Sequence, residues 1–192
     1  MTINASAFIL IGGKSKRFGS PKWQVKLNNK QVLDRIWVQL EPFKYRAVIG
    51  KKEPSKFQKS FLPDRLKLEA PINGIYTALS SANTNWSFII SCDLPLINST
   101  ILNELFSYTD AEQISAIIPF TQDQLQVTCG FYHKQCLPKL ESQIKSGDYS
   151  IHSLINQIAY QKITFQNPVP FWNMNTKKDF HEIEQYLSMH SN

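Results

Sequence analysis

Five consecutive apolar residues, Ala7-Phe8-Ile9-Leu10-Ile11, run directly into Gly12-Gly13. An unbroken apolar run of this length reads as a strand buried on both faces, which belongs in a parallel sheet covered by helices. Behind the glycines stand Lys14, Lys16, Arg17 and Lys22, four cations within nine positions. Glycine opens backbone angles closed to other residues and lets amide groups approach a ligand closely. Amides turned inward form a concave anion site. Together these features suit a triphosphate; the alternative is a basic surface turn after a strand. The spacing is not that of a Walker loop, because Gly19 is followed by Ser20 rather than Lys, and it is not G-x-G-x-x-G.

The rest of the chain alternates between strand and helix patterns. Residues 31–40 have helical spacing, 45–49 read as a strand, 53–61 as a short helix before Pro63, 73–82 as a helix and 86–91 as another buried strand. Asn98 or Ser99 can cap a helix running to about Ser107. Strand patterns follow at 116–119, 127–132 and 161–165, with helical spacing at 134–145 and 151–157. Thr176 and Asp179 have capping-box spacing and open a last helix. This alternation predicts an α/β fold, a Rossmann-like three-layer sandwich with a mostly parallel sheet, as a single domain over residues 1–192. Ligands of such sheets sit beyond the carboxyl ends of the strands. That rule singles out residues 12–22, 92–95 and 173–175.

Charge is distributed unevenly. Residues 1–70 carry 15 Lys/Arg against 5 Asp/Glu, and the remainder carries 6 against 10. The imbalance points to an anionic partner facing the first half or to a lysine-rich solvated surface. Hydrophobic residues make up 42% of the chain and charged residues 19%, which excludes a disordered chain. Cys92, Cys129 and Cys136 match no metal spacing, and their odd number argues against a secreted disulfide framework, so the expected compartment is the cytoplasm. No apolar run is long enough for a membrane span, and no nucleic-acid-binding motif is present.

After the apolar run 86–91 comes a lone carboxylate, Asp93, followed by Leu94-Pro95. Magnesium takes one or two carboxylates together with phosphate oxygens and water. A single Asp at a strand tip, facing a phosphate loop, fits that role; the alternative is a turn or helix-cap Asp. No Ser-His-Asp or Cys-His set accompanies it.

The loop 10–22 resembles that of the molybdenum cofactor guanylyltransferases, within the nucleotidyltransferase superfamily. It matches at Leu10, Gly12, Gly13, Ser15, Arg17, Gly19 and Lys22 and departs at Ile11, Phe18 and Pro21, the last standing in place of an acidic residue. Cys92-Asp93-Leu94-Pro95 resembles the family's metal motif, 70–75 its nucleotide-contact segment with Ala70 in place of a glycine, and 173–176 its N-x-N-T motif. The resemblance implies a magnesium-dependent enzyme that transfers GMP from GTP to the phosphate of molybdopterin (Mo-molybdopterin). Arg17, Lys22, Asp93 and Asn175 would be catalytic. Leu10, Ile11, Gly12, Gly13, Lys14, Ser15, Lys22, Asp64, Gly74 and Asp93 would contact the nucleotide, and Asp93 would hold the metal. Asp64 or Glu69 would accept the guanine donors, Asp64 being favoured. Asn175 would orient the metal's water or the acceptor phosphate, or simply start a helix. Trp23 and Trp172 would pack in the core or flank a pterin. Molybdoenzymes or cofactor-delivery proteins are the further partners such an enzyme would have. Other readings stay open: a nucleotidyltransferase for another phosphorylated acceptor (cytidylyl transfer to molybdopterin, a sugar 1-phosphate or a cobalamin precursor), a basic nucleic-acid-binding module, or a relative that binds GTP without catalysis.

Overall fold

In a computed structural model of the chain, residues 2–12 and 20–190 are described. Ten strands and six α-helices follow in order: β1 (Ile3–Leu10), β2 (Lys26–Leu27), β3 (Lys30–Gln31), α1 (Val32–Gln39), β4 (Phe43–Gly50), β5 (Phe61–Pro63), α2 (Pro71–Ser81), β6 (Trp86–Ser91), α3 (Ser99–Phe106), β7 (Ala116–Thr121), β8 (Gln124–Leu125), β9 (Cys129–His133), α4 (Leu137–Lys145), α5 (Ile151–Ile155), β10 (Tyr160–Thr164) and α6 (Lys177–His190).

The main sheet has the order β10-β7-β9-β6-β1-β4-β5, with β8 paired to β7. β1 lies parallel to both β4 and β6, with Leu10 beside Ile49 on one side and Ser91 on the other. Ala7 and Ile9 face one apolar core with α1, α3 and α6, while Phe8 and Leu10 face the other with α2, α4 and α5. The run that opens the sequence is thus buried on both sides, and the three-layer sandwich expected from alternation is what forms. The order of strands reverses at β1: the chain passes through β4 to the β5 edge and then returns to β6 on the opposite side. The carboxyl ends of β1 and β6 therefore stand together at a topological switch point, where open α/β sheets bind ligands.

One expectation fails, and two features go beyond what the sequence reading specified. β9 runs antiparallel between β6 and β7. An apolar pattern fixes which residues are buried, not the direction in which the strand runs. Gly130 lets β9 approach closely, since a Cβ there would stand 2.6 Å from the Ile117 carbonyl oxygen. No helix forms over 53–61. Phe57 and Phe61, whose i,i+4 spacing imitates a helix face, meet edge-on at 5.8 Å from an irregular segment entering β5, and Phe57 also packs edge-on against Trp23. Between β2 and β3, Asn28 and Asn29 both adopt positive φ (46° and 63°), as a two-residue hairpin turn requires and Asn tolerates.

Candidate active site

The segment after β6 stays attached to β1: Cys92 N–H donates to the Leu10 carbonyl at 3.0 Å. This holds Asp93 beside the carboxyl end of β1. On the other side, Ile11 N–H donates to the Ile49 carbonyl at 2.9 Å, and a Cβ on Gly50 would come within 2.8 Å of the Ile11 side chain. Leu10 and Ile11 are in this way fixed between two neighbouring strand ends. At Gly12 a Cβ would meet no described residue within 4 Å. Gly13, Lys14, Ser15 and Arg17 lie outside the described residues.

Lys22 enters from the far end of the loop. Pro21 precedes a 3-10 turn over Lys22–Gln24, closed by Gln24 N–H donating to the Pro21 carbonyl at 3.0 Å. The fixed φ of proline presets that turn, which gives Pro21 a local purpose in place of the acidic residue the resemblance leads one to expect. The Lys22 ammonium donates to Asn175 Oδ1 at 2.6 Å and stands 3.9 Å from Asp93 Oδ2. Lys22 and Asn175 are 153 positions apart in the chain. The structure therefore brings together three of the four residues expected to be catalytic.

Asn175 is held by its own backbone. Asp179 Oδ2 accepts the Asn175 N–H at 2.7 Å and the Thr176 N–H at 2.8 Å, while Asp179 N–H donates to Thr176 Oγ1 at 3.2 Å. This is the capping box read from the sequence, with Asp in place of Glu. Partial burial acts to raise the Asp179 pKa, but the two amides, the Thr176 hydroxyl and the charge of Lys22 outweigh it and hold the carboxyl below its usual value. Met174 N–H donates to the Asp93 carbonyl at 2.8 Å, which ties the 173–176 segment directly to the end of β6.

Asp93 Oδ1 is buried and accepts no hydrogen bond from a described residue. A buried carboxylate oxygen left without a partner is costly, so Asp93 Oδ1 retains the capacity to accept from a ligand. Cys92 beside it is inert: burial first, then the charge of Asp93, push its thiol up to about 12, against smaller opposing effects from Lys22 and a backbone amide.

Asp64 follows β5 and its N–H donates to the Gly50 carbonyl at 2.9 Å, so it too stands at the carboxyl edge of the sheet. Its side chain accepts no hydrogen bond from a described residue, whereas the Glu69 carboxylate is engaged by the Lys51 ammonium. This difference favours Asp64 over Glu69 as the acid open to a ligand. Gly74 is buried at the start of α2, where a Cβ would come within 2.8 Å of Leu10, so its lack of a side chain serves the packing of helix on strand. Trp23 and Trp172 both pack against the core, Trp172 edge-on to Tyr186 at 5.6 Å. Trp172 also borders a polar cleft of about 280 Å³ with Asn173, Gln124, Gln126 and Asp179. Sequence reasoning did not assign the buried Asn73 and Thr77 of α2, which bond to the segment following Asp64; a polar pair on the inward face of an apolar helix was the available signal.

Residues 7–163 match the family described as the MobA-like NTP transferase domain. The chain belongs to that family. A probable molybdenum cofactor guanylyltransferase of Aquifex aeolicus is 32% identical over 184 residues, covering 93% of this chain and 89% of that protein. The molybdenum cofactor guanylyltransferase of Vibrio parahaemolyticus is 29% identical over 186 residues, covering 94% of this chain and 95% of that protein. The crystal structure of molybdopterin-guanine dinucleotide biosynthesis protein A from Archaeoglobus fulgidus shares the fold, with a TM-score of 0.84 over 96% of this chain and 99% of that one, at 21% identity. Membership of the MobA-like NTP transferase domain family makes the chain a nucleotidyltransferase. Among the described residues no helix is long and apolar enough to cross a membrane.

Proposed function

We propose that this chain transfers GMP from GTP to the phosphate of molybdopterin, releasing pyrophosphate and forming molybdopterin guanine dinucleotide. The observation that carries the reading is the convergence of Lys22, Asp93 and Asn175 at the switch point, in a chain 32% identical to a probable guanylyltransferase of that cofactor. In the reaction an acceptor phosphate oxygen forms a bond to the α-phosphorus of GTP. The bond from that phosphorus to the bridging oxygen breaks, and pyrophosphate leaves with the electron pair. A phosphate monoester loses its second proton near pH 6, on the order of one unit below neutrality. The attacking oxygen is thus already ionised, and no general base is required.

Catalysis then rests on positioning and charge. The residues fit a magnesium ion through a single hard carboxylate: Asp93 Oδ1 is buried and accepts no hydrogen bond from a described residue. Asp93 would hold the ion, which supplies Lewis-acid polarisation of the phosphate when bound. Lys22 places a positive charge beside Asp93, where the triphosphate loses its leaving group. Asn175 keeps that ammonium in place through Oδ1 and presents its remaining amide donors to the acceptor phosphate. The cleft beside Asn173, walled by Gln124, Gln126 and Trp172, gives the acceptor's ring system amide donors and acceptors. Arg17 and Lys14 retain the leaving-group and triphosphate roles that the loop resemblance gives them.

Incubation with GTP or CTP and either molybdopterin or a sugar 1-phosphate, followed by pyrophosphate release, tests the reading. Release with GTP and molybdopterin is expected; release only with CTP, or only with a sugar phosphate, overturns it. A pH profile tests the role of Asp64. Burial raises its carboxyl above the ordinary 3.8, and Lys51 opposes the rise. A raised pKa keeps the proton on to higher pH, and the protonated acid cannot accept both guanine donors. GTP affinity is therefore expected to weaken as pH falls through that raised value, at less acid pH than an ordinary aspartate would give. The Asp64→Asn variant should bind GTP weakly without this dependence. An unchanged profile in that variant removes Asp64 from guanine recognition.

A further inference from the structure

Between the end of β5 and the start of α2, residues 64–70 form no regular element, so their backbone groups must find partners elsewhere. Two buried side chains of α2 supply them. Asn73 Nδ2 donates to the Leu66 carbonyl at 2.7 Å and to the Leu68 carbonyl at 3.1 Å, and Asn73 Oδ1 accepts from Leu66 N–H at 3.2 Å. Thr77 Oγ1 accepts from Arg65 N–H at 3.0 Å and lies 3.4 Å from Asn73 Oδ1, to which it donates. Asn73 is 2% exposed and Thr77 fully buried, one helical turn apart, among Ile72, Ile75, Ala78 and Leu79. An α-helix packed on a sheet would ordinarily fill these positions with apolar residues. Here the two polar groups satisfy each other and the loop, leaving no penalty for their burial.

The loop begins at Asp64, whose N–H is bonded to the Gly50 carbonyl at the end of β4. Asp64 is consequently held on both sides: its own amide is fixed to the sheet, and the next amide is fixed to Thr77. We infer that Asn73 and Thr77 are positioning residues for purine recognition, acting through the loop to aim the Asp64 carboxylate at the paired N1–H and 2-amino donors of guanine. This rests on the guanylyl reading above. A carboxylate that must accept two hydrogen bonds at once tolerates little displacement, and a misplacement of about 1 Å can cost on the order of 10²-fold.

The test compares equilibrium binding of GTP and ITP, with magnesium, to the full chain. ITP lacks only the 2-amino group, so the ratio of the two dissociation constants reports alignment of the carboxylate. Loss of folded protein weakens both ligands by the same factor and leaves the ratio unchanged, which separates aiming from scaffolding. The intact chain is expected to favour GTP. Thr77→Val, which keeps the shape and removes the hydroxyl, should shrink the preference by on the order of tenfold, Asn73→Ala should shrink it further, and Thr77→Ser should restore it. A full GTP preference in Thr77→Val overturns the inference, even if Asn73→Ala does not fold. No preference for GTP in the unaltered chain contradicts the guanylyl reading itself, a result distinct from failure of the variants.

Discussion

Replacing Asp93 with alanine is expected to abolish pyrophosphate release from GTP while leaving the fold at least as stable. The two halves of this expectation come from the same atoms. Asp93 Oδ1 is buried and has no hydrogen-bond partner among the described residues, and Oδ2 is 3.9 Å from the Lys22 ammonium. A pair at that distance contributes little when partly exposed, about 0–1 kcal/mol, whereas the unpartnered buried oxygen costs about 1–3 kcal/mol in the free protein. The backbone bond that secures this segment, Met174 N–H to the Asp93 carbonyl, does not involve the side chain. A residue that costs stability where it stands fits a chemical role rather than a folding one, the trade-off familiar from active sites. Pyrophosphate release and thermal unfolding of Asp93→Ala, measured together, check both halves. Turnover near the unaltered rate, or a marked fall in melting temperature with activity retained, contradicts the role given to Asp93.

Lys22→Ala should lower turnover by on the order of 10²–10³-fold, the scale of one preorganised charge donor removed from a developing negative charge. The effect is expected in kcat more than in KM, because the charge being stabilised grows as the leaving group departs. Lys22→Arg should recover only part of the loss. The ammonium is seated at 2.6 Å from Asn175 Oδ1, and the wider planar guanidinium cannot occupy the same point. Single-turnover measurements with saturating GTP separate the two parameters. Equal kcat in the alanine variant would show that Lys22 serves ground-state binding alone.

Much of this site was legible in the sequence because its parts lie at strand tips. The run 7–11 specifies a strand buried on both faces, and the apolar run 86–91 followed by a lone acid specifies where Asp93 emerges. Thr176 and Asp179 specify the start of α6, and with it the backbone of Asn175. Local patterns of burial and capping suffice for these. They do not say which of the four loop cations meets Asn175, because partners 153 positions apart leave no periodic trace. Nor do they give the direction of β9, since either direction buries the same side chains. The helix expected over 53–61 does not form, and the Phe57–Phe61 contact shows why spacing there is ambiguous: an i,i+4 aromatic pair packs together whether it comes from a helix or from a bent chain. Gly74 sits in a segment that resembles a nucleotide-contact motif, yet its proximity to Leu10 depends on how α2 lies on β1, which no local pattern contains. Asn73 and Thr77 read as weak helix residues until the loop they support is in view.

On the function proposed for this chain, a nucleoside triphosphate and its cation meet between the carboxyl end of β1 and Asp93. Electron paramagnetic resonance of Mn²⁺, in place of magnesium, with a non-hydrolysable GTP analogue bearing ¹⁷O on its phosphates tests this directly. The unaltered chain is expected to bind the ion in a ternary complex whose signal is broadened by the labelled phosphate, and Asp93→Asn is expected to lose that complex. The same ternary signal at the same affinity in Asp93→Asn would contradict the account.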